Sequence, residues 1–106
     1  MRLIAGLYIG LCAACLIFSP QANAEQTLRF NSFAPPQELL NRTIFPAFAK
    51  NVTADSGGTV KVDYFPGGGL GRNPRAQLKL VIDGVADIAF VLPAFTPGRF
   101  PDNDII

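Results

Sequence analysis

The apolar residues of this chain change their period repeatedly along its length, and that alternation restricts the fold more than any single motif. Between Thr27 and Phe33, Leu28, Phe30 and Ser32 fall on one side of an extended segment and Arg29 and Asn31 on the other, the repeat of a strand. Ala34-Pro35-Pro36 ends it. Leu40, Ile44, Phe48 and Val52 then recur at every fourth position, which aligns them on one helix face. Pro46 falls inside this stripe. A proline within a helix removes a hydrogen bond and crowds the preceding turn, so the pattern predicts either a kink or a short turn followed by a new helix from Pro46. Gly57-Gly58 supplies the stop. Val60, Val62 and Tyr64 alternate with Lys61, Asp63 and Phe65 in a second strand that Pro66 halts. Asn73 and Pro74 have the character of a helix cap and first helical residue, and Leu78, Val81, Ile82 and Val85 follow at spacings of three and four. Gly84 terminates this helix. Ile88 to Leu92 is continuously apolar, as in a strand of a parallel sheet covered on both faces, and Pro93 closes it.

Strand, helix, strand, helix, strand in that order predicts an α/β unit with right-handed crossovers and strand order 2-1-3, over residues 25–106, with no internal repeat or linker. In such a sheet the chain leaves strand one in one direction and strand three in the other, and ligands bind at the carboxyl ends beside that switch point. The candidate lining is therefore Ser32, Phe33 and Ala34 after strand one and Pro93, Ala94 and Phe95 after strand three. Phe30 and Phe90 are expected in the core. The tail from Thr96 has no period but finishes on Asp104-Ile105-Ile106, which reads as the opening of another apolar element. The expectation is a lobe left unfinished at that point.

Met1 and Arg2 precede a charge-free apolar run from Leu3 to Phe18, then Ser19-Pro20 and the small-x-small triplet Ala22-Asn23-Ala24. This is the pattern of a helical signal peptide, residues 1–24, cleaved between Ala24 and Glu25 and directing the remainder to export. As a membrane anchor the run would reach only roughly 24 Å at ~1.5 Å per residue, short of a hydrocarbon core of about 30 Å. Cys12 and Cys15 raise the alternative of a lipidated cysteine, but Leu16, Ile17 and Phe18 continue the apolar run past it. Cleavage at Ala24 removes both thiols, so neither disulfides nor thiolate chemistry remain.

Removing Arg2 from the nine basic residues leaves eight, against eight acidic ones, so residues 25–106 are formally neutral. No basic stripe is present to track a phosphate backbone, which argues against nucleic acid as a partner. The absence of histidine removes the commonest general base and metal ligand. No catalytic residue, metal site or cofactor is expected. Asn41-Arg42-Thr43 and Asn51-Val52-Thr53 match the glycosylation sequon, a pattern loose enough to carry little weight.

Pro66-Gly67-Gly68-Gly69-Leu70-Gly71 lies between a strand and a helix, where nucleotide-binding loops also sit. A dinucleotide fingerprint starting at Gly67 needs glycine where Arg72 stands, and no Gly-Lys-Ser/Thr occurs, so the loop is either a plain turn or the edge of a ligand cleft. Arg72 and Arg75 beside it are candidates to attract an anion. Tyr64-Phe65-Pro66-Gly67-Gly68-Gly69-Leu70-Gly71, then a helix, then Gly84-Val85-Ala86-Asp87-Ile88-Ala89 resembles the substrate-binding subunits of tripartite ATP-independent periplasmic (TRAP) transporters. Their pattern is strand-Phe-Pro-Gly-Gly-x-Leu-Gly followed, after a helix, by Gly-x-x-Asp-Ile-Ala. Two linked motifs in one register, with the Arg29-Phe30 strand ahead of them, extend the resemblance over residues 25–106.

The resemblance implies the incomplete first lobe of a type II periplasmic binding protein, a receptor whose two α/β lobes close on an organic acid anion such as a C4-dicarboxylate. It also implies delivery of that small organic acid to the membrane permease subunits of the transporter. The family's carboxylate-binding arginine belongs to the second lobe, beyond Ile106. The apolar opening Phe33-Ala34-Pro35 argues against a sugar acid. Asp87, near the start of strand three, is expected to cap or pair rather than touch ligand. Two other readings stay open: an enzyme on the same two-lobed architecture, and a truncated product without function.

Overall fold

The computed structural model describes residues 24–103. The expected signal segment with Cys12 and Cys15, and the closing Asp104-Ile105-Ile106, lie outside the described residues. Among those described, no helix is long and apolar enough to cross a membrane.

Three parallel strands form one sheet: β1 (Gln26–Asn31), β2 (Val60–Phe65) and β3 (Ile88–Ala89), in the expected order β2-β1-β3. β1 pairs along its whole length with β2, from Gln26 opposite Val60 to Asn31 opposite Phe65. The Ser32 amide carries the ladder one step further by donating to Phe65 O at 3.0 Å. β3 is shorter than its apolar run predicts. Only Ile88 and Ala89 pair, opposite Phe30 and Asn31, before the Phe90 amide donates to Asn31 O at 2.9 Å. The limit is the partner: β1 ends at Asn31, so Val91 and Leu92 have no strand to extend against.

Pro46 is accommodated by neither a break nor a fresh start, because the backbone stays helical through Ile44 and Phe45. A wide, π-type turn over Leu40–Ile44 leads into α1 (Phe45–Asp55), where Pro46 occupies the first turn. The Phe45 amide still reaches Leu40 O across the wide turn, so the helical run continues up to the proline. The face of α1 packs on β1 and β2 through aromatic edges: Phe45 and Phe48 meet Phe30 at centroid distances of 5.0 and 6.0 Å, and Tyr64 meets Phe30 at 5.2 Å. Phe30 is buried, whereas Leu39, Ile44 and Phe48 keep large exposed areas. The stripe is thus only partly covered among the described residues.

The second helix begins as its sequence predicts. Asn73 Oδ1 accepts from the Arg75 amide at 3.0 Å, Pro74–Ala76 forms a tight turn, and α2 (Gln77–Ile82) follows. It ends at Ile82, Gly84 turns the chain at φ +74°, and the Val85 and Ala86 amides both return to Leu80 O, at 2.9 and 3.1 Å. Asp87 takes the pairing role expected of it. Its Oδ2 accepts from the Arg29 amide at 2.7 Å and from Arg29 Nε at 3.3 Å, while the Arg29 guanidinium also donates to Gly84 O at 2.7 Å. These bonds from Arg29, the backbone one first, hold the Asp87 carboxyl below the usual range. Asn41 of the first sequon is buried with its amide committed to Ala34 O and Pro35 O, which leaves it unavailable to a glycan; Asn51 is exposed.

Candidate functional site

Because all three strands run the same way, the segments that leave them collect at one end of the sheet. β1 runs into Ser32-Phe33-Ala34, β2 into the glycine loop, and β3 into Phe90 and the turn Pro93–Phe95. The glycine loop is bonded to the first of these. The Gly68 amide donates to Ser32 O at 2.7 Å and the Gly67 amide to Ala34 O at 3.0 Å. Both bonds need a left-handed turn in the backbone, φ +66° at Gly67 and +72° at Gly68, a conformation that residues with a β-carbon resist.

Aromatic rings join the first segment to the third. Phe33 stacks on Phe90 at 5.3 Å with the planes 8° apart, and Phe95 meets Phe33 edge-on at 5.9 Å. Phe90 continues this group to Phe45 at 5.3 Å, so it belongs to the core layer as well as to the sheet end. Arg72 stands against the glycine loop: a β-carbon on Gly68 would lie 2.7 Å from Arg72 Cγ and 3.9 Å from Phe33 Cα. The stem of Arg72 therefore fills the space that a side chain on Gly68 would need, beside the aromatic group. Its residue is exposed.

The residues predicted for the site thus reach the same end by different means. Phe33 and Phe95 contact each other directly; Ser32 and Ala34 are buried and are joined to the glycine loop through their carbonyls; Arg72 is adjacent. Pro93 is half-buried and Ala94 exposed in the turn that presents Phe95. The Ser32 hydroxyl is turned inward. It is fully buried, makes no well-formed hydrogen bond, and lies beside the Tyr64 phenol, whose pKa burial raises and Ser32 partly restores.

Alternation along β1 placed Asn31 with Arg29 on a polar side, yet Asn31 is buried at 0% exposure together with Gln77. Asn31 Nδ2 donates to Gln77 Oε1 at 2.7 Å and to Gly71 O at 3.1 Å, and its Oδ1 accepts from the Leu70 amide at 3.0 Å. Gln77 Nε2 donates to Gly71 O at 3.0 Å and to Asn73 O at 2.8 Å. A polar residue within an otherwise apolar strand, followed by a glycine loop and then glutamine in the next helix's first turn, is the signal that could have pointed to this pair. Among the described residues, no group of three or more His, Cys, Asp or Glu side chains is arranged to hold a metal ion.

No family model and no curated protein matches the chain. Several solved structures do. A TRAP solute-binding protein from an unidentified microbe of a marine metagenome, specific for aromatic acids and bound to 3-hydroxybenzoate, is 37% identical with a TM-score of 0.69, over 74% of this chain and 24% of its own. One from Rhodoferax ferrireducens, bound to benzoate, is 33% identical with a TM-score of 0.65, over 71% and 23%. A third, from Desulfovibrio salexigens, has the C-terminus of a symmetry mate in its ligand site and is 29% identical with a TM-score of 0.66, over 74% and 24%. The resemblance carried by the two sequence motifs therefore extends to the fold, and the three-stranded parallel sheet matches part of a periplasmic binding protein. The chain spans about a quarter of the length of these relatives.

Proposed function

We propose that this chain, which shares fold and sequence with TRAP solute-binding proteins, supplies one wall of the ligand cleft of such a receptor, and that its ligand is an aromatic carboxylate. The observation that carries the reading is the Phe33, Phe90 and Phe95 group at the carboxyl end of the sheet. Aromatic rings pair with one another for about 0.5–1.5 kcal/mol beyond the area they bury, which favours a ligand that brings a ring of its own. The aromatic-acid receptor and the benzoate receptor among the relatives point the same way.

A C4-dicarboxylate is a poorer match. Each carboxylate taken out of water needs a cation and several hydrogen bonds, and the rings of Phe33, Phe90 and Phe95 offer neither. A ligand with one carboxylate and one ring makes a single such demand and satisfies the rest by apolar contact. In this reading Phe33 and Phe95, with Pro93 and Ala94, shape the apolar wall, Ser32 and Ala34 act through their backbone, and Arg72 attracts the anion. The arginine that the family resemblance assigns to the carboxylate lies in a second lobe. The receptor is exported with residues 1–24 removed, binds without chemical change to the ligand, and hands it to membrane permease subunits in the periplasm.

Titration calorimetry of the complete gene product tests the ligand class. Benzoate and 3-hydroxybenzoate are expected to give saturable isotherms and succinate none; saturable succinate binding with no response to either aromatic acid rejects the assignment. N-terminal sequencing of the periplasmic protein is expected to begin at Glu25, and retention of residues ahead of Ala24 rejects the cleavage site.

A further inference from the structure

Every polar side-chain hydrogen and oxygen of the Asn31–Gln77 pair is committed, and the four bonds that are not between the two amides all end on the backbone of a single segment. Asn31 takes the Leu70 amide and Gly71 carbonyl; Gln77 takes the Gly71 and Asn73 carbonyls. The bonds therefore bracket Arg72 in sequence, at Gly71 before it and Asn73 after it, without touching its side chain. Both amides are 0% exposed, so water cannot replace a lost partner. A loop with three glycines in succession would otherwise sample many conformations, since glycine loses more freedom on ordering than any other residue. The side of Gly68 on which the Arg72 stem rests is fixed at the same time by the Gly68 amide bond to Ser32 O.

We propose that Asn31 and Gln77 are positioning residues for the anion-attracting loop: the buried amide pair anchors Leu70–Asn73 to β1 and α2, and so sets Arg72 beside Phe33 before ligand arrives. This rests on the aromatic-carboxylate reading for its effect on affinity, but the anchoring itself is independent of any ligand. The device places the cation without exposing the amides that place it, so the ligand meets a loop already ordered and a smaller entropic cost on binding.

Hydrogen exchange on the unliganded complete gene product tests the anchoring directly. The Leu70 and Gly71 amides are expected to be as protected as the Ser32 amide of the sheet, and unprotected exchange at Leu70 and Gly71 overturns the proposal without any variant. In Gln77→Met, exchange at Leu70 and Gly71 is expected to accelerate while Gln26 and Ser32 keep their protection, which separates loosening of the loop from loss of the fold. Benzoate affinity is expected to fall about tenfold in Gln77→Met, the size of one weakened hydrogen bond to a charged group, and to be unaffected by the same change in an Arg72→Ala background. An equal loss in both backgrounds rejects action through Arg72. A parent protein that binds no benzoate refutes the ligand reading and the affinity effect together, whereas the exchange rates still decide the anchoring.

Discussion

A β-carbon at Gly68 meets two obstacles at once, a left-handed backbone at φ +72° and the Arg72 stem at 2.7 Å. Gly84 presents only the first, with φ +74° and no atom within 4 Å of an added β-carbon. The two positions therefore separate conformational cost from steric cost. Alanine at Gly84 is expected to lower stability by about 1–2 kcal/mol, the cost of a left-handed residue with a side chain. Alanine at Gly68 is expected to cost more, because the atoms it strikes are the root of the arginine side chain and not its mobile end. Urea denaturation of the two variants checks this; equal midpoints would show that Arg72 yields freely and is not held against the loop. The sequence could mark Gly68 as a turn residue, since the run of glycines is visible without a structure. What it could not show is the packing of Arg72, four residues on, over that glycine, because that depends on the return of the loop toward Phe33.

At the level of elements, single polar contacts fix how helix and turn segments sit on the sheet. The Tyr64 hydroxyl donates to Asn41 Oδ1, and Asn41 in turn holds the Ala34 and Pro35 carbonyls, so one chain of bonds links β2, the turn before α1 and the segment after β1. Burial raises the phenol pKa, which keeps it protonated and donating. Tyr64→Phe strands a buried amide oxygen and is expected to cost about 1–3 kcal/mol in a urea titration; an unchanged midpoint would mean that water takes over the contact. Asp87 does the corresponding work between β1 and β3. Its folded-state pKa lies below the ordinary 3.8, so its contribution is complete above that value and is lost as pH falls through the folded one. The acid limb of stability below about pH 4 is expected to flatten in Asp87→Asn. Parallel limbs for parent and variant across urea melts at descending pH would remove Asp87 from that role. Element order, strand order and the Asn73 cap were legible because each follows from local period or turn chemistry. The length of β3 was not, since its apolar run continues to Leu92 while pairing depends on where β1 stops. Nor was the burial of Asn31: alternation assigns it a side of the strand, and only packing against α2 determines whether that side is wet.

At the scale of the whole molecule, the large apolar residues exposed among those described divide between the two helical regions and the strand-three exit: Leu39, Ile44 and Phe48 on one, Ile82 and Val85 on the other, and Leu92 after β3. Most large apolar side chains in a finished lobe are covered, and each of these costs stability while it faces water. A chain of about this size also buries only some 60–65% of the surface its unfolded form exposes, which leaves little margin. The relatives are about four times as long as the portion matched here, and in the proposed receptor the further length supplies both cover for these faces and the second wall of the cleft. Residues 25–106 expressed alone are therefore expected to be marginally stable and to bind benzoate too weakly for calorimetry to register. The electrostatic argument leads to the same outcome, because a carboxylate in a half-open site keeps its water and gains little from one exposed arginine at Arg72. The complete gene product is expected to show a saturable isotherm under the same conditions. Micromolar binding of benzoate by residues 25–106 alone would mean that the sheet end around Phe33 and Phe95 is a finished site, and that closure between two lobes is not what holds the ligand.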